Sequence, residues 1–106
     1  MTFPDSFSDK DKIEFLQRKV IINSICYYIF DKPIMTDNAY DKVSKELVDM
    51  TKSYQGESQY GYVMGDYDGS SGFDIYDRLN EKDKEYLTTI ASRLALNGVD
   101  AFKDRR

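Results

Sequence analysis

Histidine is absent from these 106 residues and cysteine occurs once, and the two shortages remove most catalytic constellations from consideration. With no imidazole, no side chain shuttles a proton near neutral pH without help from its surroundings. Cys26 has no partner for an internal disulfide, which fits a reducing compartment, and it sits mid-helix where a small apolar residue would serve as well. Positive charge is also short: 15 Lys and Arg stand against 19 Asp and Glu, for a net charge of -4. The counterion-release term that drives non-specific nucleic-acid binding therefore has little to work with, and direct binding to DNA is not expected. The basic cluster Lys103-Asp104-Arg105-Arg106 lies at a terminus, where charged ends commonly fray. No apolar run approaches the ~20 residues needed to cross a bilayer, and Met1-Thr2-Phe3-Pro4-Asp5 lacks the basic and apolar regions of a signal peptide. These absences point to a cytoplasmic protein outside the membrane.

What is present reads as mostly α. A chain of this length is expected to form one domain, 1–106, around one core that buries roughly two-thirds of its unfolded surface. Ser8 is a candidate N-cap, with Asp9 and Asp11 opposing the helix dipole in the first turn. Ile13, Leu16, Val20, Ile21, Ile25 and Ile29 give this first helix a broad apolar face, and Phe15, Ile22 and Cys26 widen it, so it should pack on two sides. Pro33 has no N–H and pushes Lys32 out of helical dihedrals, which ends the helix near Asp31. Thr36 or Asp37 then caps a second helix to about Tyr54, on which Tyr40, Val43, Leu47, Met50 and Tyr54 recur at spacings of three and four. Residues 8–54 are thus expected to form an antiparallel helical hairpin.

Residues 55–72 hold five of the six glycines and show no helical period, so they read as a glycine-rich loop, or a loop carrying one short strand at Tyr60 to Met64. Within it, Gly65-Asp66-Tyr67-Asp68-Gly69-Ser70-Ser71-Gly72 has the backbone freedom of a phosphate cradle but lacks a P-loop lysine, and its aspartates would repel phosphate. Its Asp-x-Asp-Gly fragment lacks the other ligands of a calcium loop, so no metal site is expected. The loop either carries Tyr67 toward a ligand or simply joins two helices. In residues 73–106, Phe73 to Leu79 reads as a helical turn. Asn80 then caps a third main helix with Leu87, Ile90, Ala91 and Leu94 on one face, and Asn97-Gly98 stops it.

The hairpin's connection brings the end of the first helix beside the start of the second. There the run Tyr27-Tyr28-Ile29-Phe30-Asp31-Lys32-Pro33-Ile34-Met35-Thr36-Asp37-Asn38-Ala39-Tyr40-Asp41 gathers tyrosines and carboxylates. Asp37, Tyr40 and Asp41 stand at i, i+3 and i+4 in a first helical turn and share one face. Two readings compete. In one, the acidic residues are there because the dipole favours them at ~0.3–1 kcal/mol each, and the tyrosines fill a hairpin seam with their hydroxyls at the surface. Adjacent Tyr27 and Tyr28 point about 100° apart, so both cannot face that seam. In the other, the junction is a ligand pocket. The run resembles the signature of the small helical N-terminal domain (domain Ia) of bacterial NAD-dependent DNA ligases, where a Tyr-Tyr or Tyr-His pair precedes Asp-x-Pro and then Asp-x-x-Tyr-Asp. The resemblance covers roughly residues 10 to 55.

That resemblance implies a site for the nicotinamide mononucleotide (NMN) half of NAD, with Tyr27 and Tyr28 lining the ring site and Asp37, Tyr40 and Asp41 completing it. Where some ligases have a histidine this chain has Tyr28, which can stack and hydrogen-bond but cannot titrate near neutral pH. Nicotinamide attached to ribose is a pyridinium cation, best held between aromatic rings with a carboxylate nearby. Asp37 would face the cation and Asp41 would accept the ribose hydroxyls, as an acidic residue does in other dinucleotide sites.

The Lys-x-Asp-Gly tetrapeptide on which such ligases adenylate themselves does not occur in these 106 residues, so the chain alone should not ligate DNA. The leading expectation is a non-catalytic module that binds NMN, NAD or a related ADP-ribose nucleotide and requires no cofactor of its own. Such a protein would suit a bacteriophage that sequesters nucleotide in the host cytoplasm as a counter-defence. Two alternatives stay open. Asp37 and Asp41 could cleave the glycosidic bond of NAD. Or the chain could be a protein-interaction module, acting in trans on a separately encoded adenylation domain or a host enzyme, or pairing as a homodimer, through its surplus apolar helix face.

Overall fold

The computed structural model describes residue 3 and residues 5–54, 56–65, 67–69 and 74–95. The regular elements in them are helices: α1 (Asp9–Tyr28), α2 (Asp37–Ser53), α3 (Gly61–Met64), α4 (Ile75–Arg78) and α5 (Glu81–Arg93). The expected mostly-α fold, with its helical hairpin and third main helix, is what the structure shows. None of the described helices is long and apolar enough to cross a membrane.

Helix α1 starts with a capping box, in which Ser8 Oγ accepts from the Asp11 N–H and the Asp11 carboxylate accepts from the Ser8 N–H, both at 3.1 Å. Ile13, Leu16, Val20, Ile21, Ile25 and Cys26 are each 1% exposed or less, because α2, α4 and α5 all pack against this one helix. Burial on several sides also draws Gln17, Asn23 and Ser24 into the interior. Ser24 Oγ donates to the Val20 carbonyl at 2.9 Å and Gln17 Nε2 donates to Ser58 Oγ at 3.0 Å. The helix stops at Tyr28, a little before the expected Asp31. Asp31 turns the chain with φ of +55°, and the Lys32 N–H donates to the Cys26 carbonyl at 2.8 Å, ahead of Pro33. Ile29 therefore falls past the last helical residue and is 44% exposed rather than part of the apolar face.

Thr36 caps α2 by accepting from the Ala39 N–H at 3.1 Å, and α2 returns along α1 with Val43 and Leu47 in the core. Asn80 caps α5 by accepting from the Asp83 N–H at 2.8 Å. Leu87 and Ala91 are buried, with Ile90 and Leu94 partly buried against them.

The short strand considered for Tyr60 to Met64 is instead the single turn α3. A lone strand has no neighbour to satisfy its backbone, whereas a turn bonds internally, with Met64 N–H to Tyr60 C=O and Gly65 N–H to Gly61 C=O, both at 2.8 Å. Tyr60, Val63 and Met64, spaced at i, i+3 and i+4, then fall on one face and are buried. Asp66, Ser70 to Phe73, the stop signal at Asn97-Gly98 and the C-terminal basic cluster lie outside the described residues.

Burial pushes the Cys26 thiol up from its ordinary 9.0 to about 11. The folded state thus holds this proton more tightly than the unfolded chain does. Its contribution to stability is complete below about pH 9 and is lost as pH rises through 11. The urea midpoint is expected to fall over that window, and Cys26→Ala should lose less of its own neutral-pH midpoint there.

Candidate functional site

Where α1 meets α2 the chain encloses an open cleft of about 340 Å³. Asn23, Ser24, Tyr27 and Tyr28 line it from α1, Pro33 and Met35 from the connection, and Asp37 and Tyr40 from α2. A buried side chain of α1 bonds the connection: Asn23, 6% exposed, accepts from the Ile34 N–H at 3.0 Å. That bond ties the turn back onto α1 just before Thr36 begins α2.

Tyr27 and Tyr28 place their rings 4.6 Å apart with planes at 35°, and the residues are 50% and 47% exposed. The expectation that only one of them could face the hairpin seam is met differently: both leave the seam and both line the cleft. The cleft sits beyond the end of the seam, where the helix emerges from the core and two adjacent side chains line the same opening. Asp37 stands exposed at the start of α2 on this side. No lysine or arginine is among the described lining residues, so the wall offers aromatic faces and a carboxylate, surroundings that favour a planar cation over a phosphate.

Asp41 is the expected site residue that does not line this cleft. It lies along a neighbouring groove with Ser44, Lys45, Asp68 and Gly69. Helical geometry gives the reason: Tyr40 and Asp41 diverge by about 100°, with Asp37 between them in projection. Asp37 thus marks the border between cleft and groove.

Tyr67 comes from the loop after α3 and meets the site from behind. Its hydroxyl is 2.6 Å from that of Tyr40 and 2.9 Å from Ser44 Oγ. Burial pushes the Tyr67 phenol well above its ordinary value, the Tyr40 hydrogen bond adds to that, and the Ser44 bond opposes it. Sequence reasoning missed Asn23, Ser24 and Met35. The signal available for the first two was a polar pair interrupting the apolar run from Val20 to Cys26. No group of three acidic or thiol side chains is placed to hold a metal ion among the described residues.

The comparisons with known proteins bear on this same stretch. A family model described as DNA ligase-like, N-terminal NAD+-binding domain matches residues 6–58. The chain is 33% identical over 45 residues to a DNA ligase of Thermosipho africanus (strain TCF52B), covering 42% of this chain and 7% of that protein. It is 35% identical over 51 residues to a DNA ligase of Syntrophobacter fumaroxidans (strain DSM 10017 / MPOB), covering 48% of this chain and 8% of that protein. The match thus spans less than a tenth of either relative's length. No solved structure matches the chain.

Removing the amide that pins the connection should be costly without touching the tyrosines. Asn23→Ala leaves the Ile34 N–H without its partner and is expected to lower stability by about 1–3 kcal/mol, read from urea denaturation.

Proposed function

The chain belongs to the family of DNA ligase-like, N-terminal NAD+-binding domains, and on that premise we propose that it binds the nicotinamide mononucleotide part of NAD-type nucleotides without turning them over. The observation that carries this reading is the convergence of Tyr27, Tyr28, Asp37 and Tyr40 on one cleft. The pyridinium ring lies against the tyrosine faces with the Asp37 carboxylate beside it, combining cation–π and Coulomb attraction. The ribose reaches over the border at Asp37, and Asp41 accepts its hydroxyls from the adjoining groove. At about 340 Å³ the cleft stands near the lower end of small-molecule sites, which run roughly 300–1,000 Å³. It accommodates a mononucleotide, and the rest of a dinucleotide extends outside it.

Holding nucleotide without spending it is also what a sequestering protein requires, including one that a bacteriophage would deploy. Among the described residues Asp37 is the one carboxylate lining the cleft, while Asp41 opens on the adjoining groove.

Calorimetry is expected to show saturable binding of NMN and NAD+. Reduced NADH, whose dihydropyridine is neutral, should bind more weakly by roughly 2- to 30-fold, the factor that a cation–π contribution of about 0.5–2 kcal/mol implies. Tyr27→Ala should weaken both NMN and 1-methylnicotinamide, which carries the cation but no sugar. Asp41→Asn should weaken NMN alone. Chromatography after prolonged incubation with NAD+ should detect no released nicotinamide. Absence of heat with every one of these ligands would remove the reading.

A further inference from the structure

The cleft wall contributed by Tyr40 is fastened from a part of the chain that the family match does not reach. The match ends at residue 58, and Tyr67 lies beyond it. Tyr67 is placed from two directions. Its own N–H donates to the Met64 carbonyl at 3.1 Å, and Met64 is 2% exposed, so the loop is rooted in the core. Two residues on, Gly69 takes φ of +89° and lies over α2, where an added Cβ would meet Val48 Cγ2 at 3.7 Å and Ser44 Cβ at 4.0 Å. A side chain is strained at that φ, so the turn that lays the loop on α2 depends on glycine. Between these anchors the Tyr67 hydroxyl sits within hydrogen-bond reach of Tyr40 at 2.6 Å and of Ser44 at 2.9 Å.

We propose that Tyr67 is a positioning residue for the nucleotide cleft: by holding the hydroxyl of Tyr40 it fixes the orientation of the Tyr40 ring, so that residues after the family-like half of the chain complete the binding site. This rests on the nucleotide-binding reading above. The physical argument is one of preorganisation. A tyrosine ring that can still reorient must be ordered when the ligand arrives, whereas one already packed and bonded at its hydroxyl presents its face at a smaller entropic cost. Tyr67 keeps its own proton because burial disfavours the phenolate, so it can donate to one neighbour while accepting from the other. Ser44, one helical turn after Tyr40, serves as the second point that keeps Tyr67 in register.

The test is NMN titration by calorimetry of wild type, Tyr67→Phe, Tyr40→Phe and the double variant, each checked for cooperative urea unfolding. Tyr67→Phe is expected to weaken NMN by roughly three- to tenfold, the equivalent of one hydrogen bond. The double variant is expected to bind within about twofold of Tyr40→Phe alone, because Tyr67 acts through the hydroxyl that Tyr40→Phe has already removed. A purely structural role would not produce that non-additivity. Tyr67→Phe binding NMN as wild type does, or a double variant losing the product of the two single effects, overturns the inference. If Tyr67→Phe does not unfold cooperatively, Ser44→Ala decides in its place: weaker NMN binding supports the positioning role and unchanged binding overturns it. A wild type that gives no heat with NMN defeats the nucleotide-binding reading itself, and the inference falls with it. That result is distinct from a binding wild type whose Tyr67 variant is indifferent.

Discussion

A helix that takes Leu16, Val20, Ile21, Ile25 and Cys26 out of water on nearly every side leaves its own polar residues no solvent to bond. That constraint on α1 organises the rest. A polar group in a buried stretch gains from a protein partner, since an orphaned one costs about 1–3 kcal/mol, and three side chains of α1 find one, Gln17 through its amide N–H alone. Ser24 meets the need within the helix, bonding the Val20 carbonyl. Gln17 reaches Ser58 and so ties the loop after α2 to α1. Asn23 reaches the Ile34 amide and so ties down the connection between the two hairpin helices. The burial of one helix thereby fixes where two loops run, and one of them frames the cleft.

The cleft exists because α1 outlasts its own cover. From Val20 to Cys26 the helix is enclosed, and at Tyr27 and Tyr28 it emerges, with Ile29 just past its end, so large side chains at the end of α1 become a surface. Three large side chains left half exposed in succession would be a liability on an ordinary surface. Here the first two face the start of α2 and gain a concave neighbour in Asp37 and Tyr40. The chemistry of that concavity is one-sided, with aromatic faces, a carboxylate and, among the described residues, no lining lysine or arginine. Such surroundings favour a planar cation over a phosphate.

Much of this was legible in the chain itself. Ser8 and Asn80 each announced a helix start by being a side-chain acceptor placed before a run with helical period, and each caps as expected; of Thr36 and Asp37, both open from the sequence, Thr36 is the cap. Pro33 announced the break. The residues at the junction were legible as a group because a hairpin with a short connection must bring them together. What sequence periodicity could not supply was the direction of each side chain at a helix end. It placed Asp41 with Asp37 and Tyr40, yet Asp41 opens on the next groove. It separated Tyr27 from Tyr28, yet they share an opening. It also read Tyr60 to Met64 as loop or strand, because a four-residue turn is too short to establish a period of its own.

The sequence by itself determined the three main helices, their caps, the hairpin and the set of residues gathered at its bend, since these follow from local backbone preferences and the spacing of apolar side chains. Only the tertiary structure decided which of those residues face the same space, that Asn23 holds the connection, and that Tyr67 stands behind Tyr40. Those contacts join residues 11 and 27 positions apart in the chain, and contacts at such separations are fixed by how the helices and loops pack rather than by any local pattern.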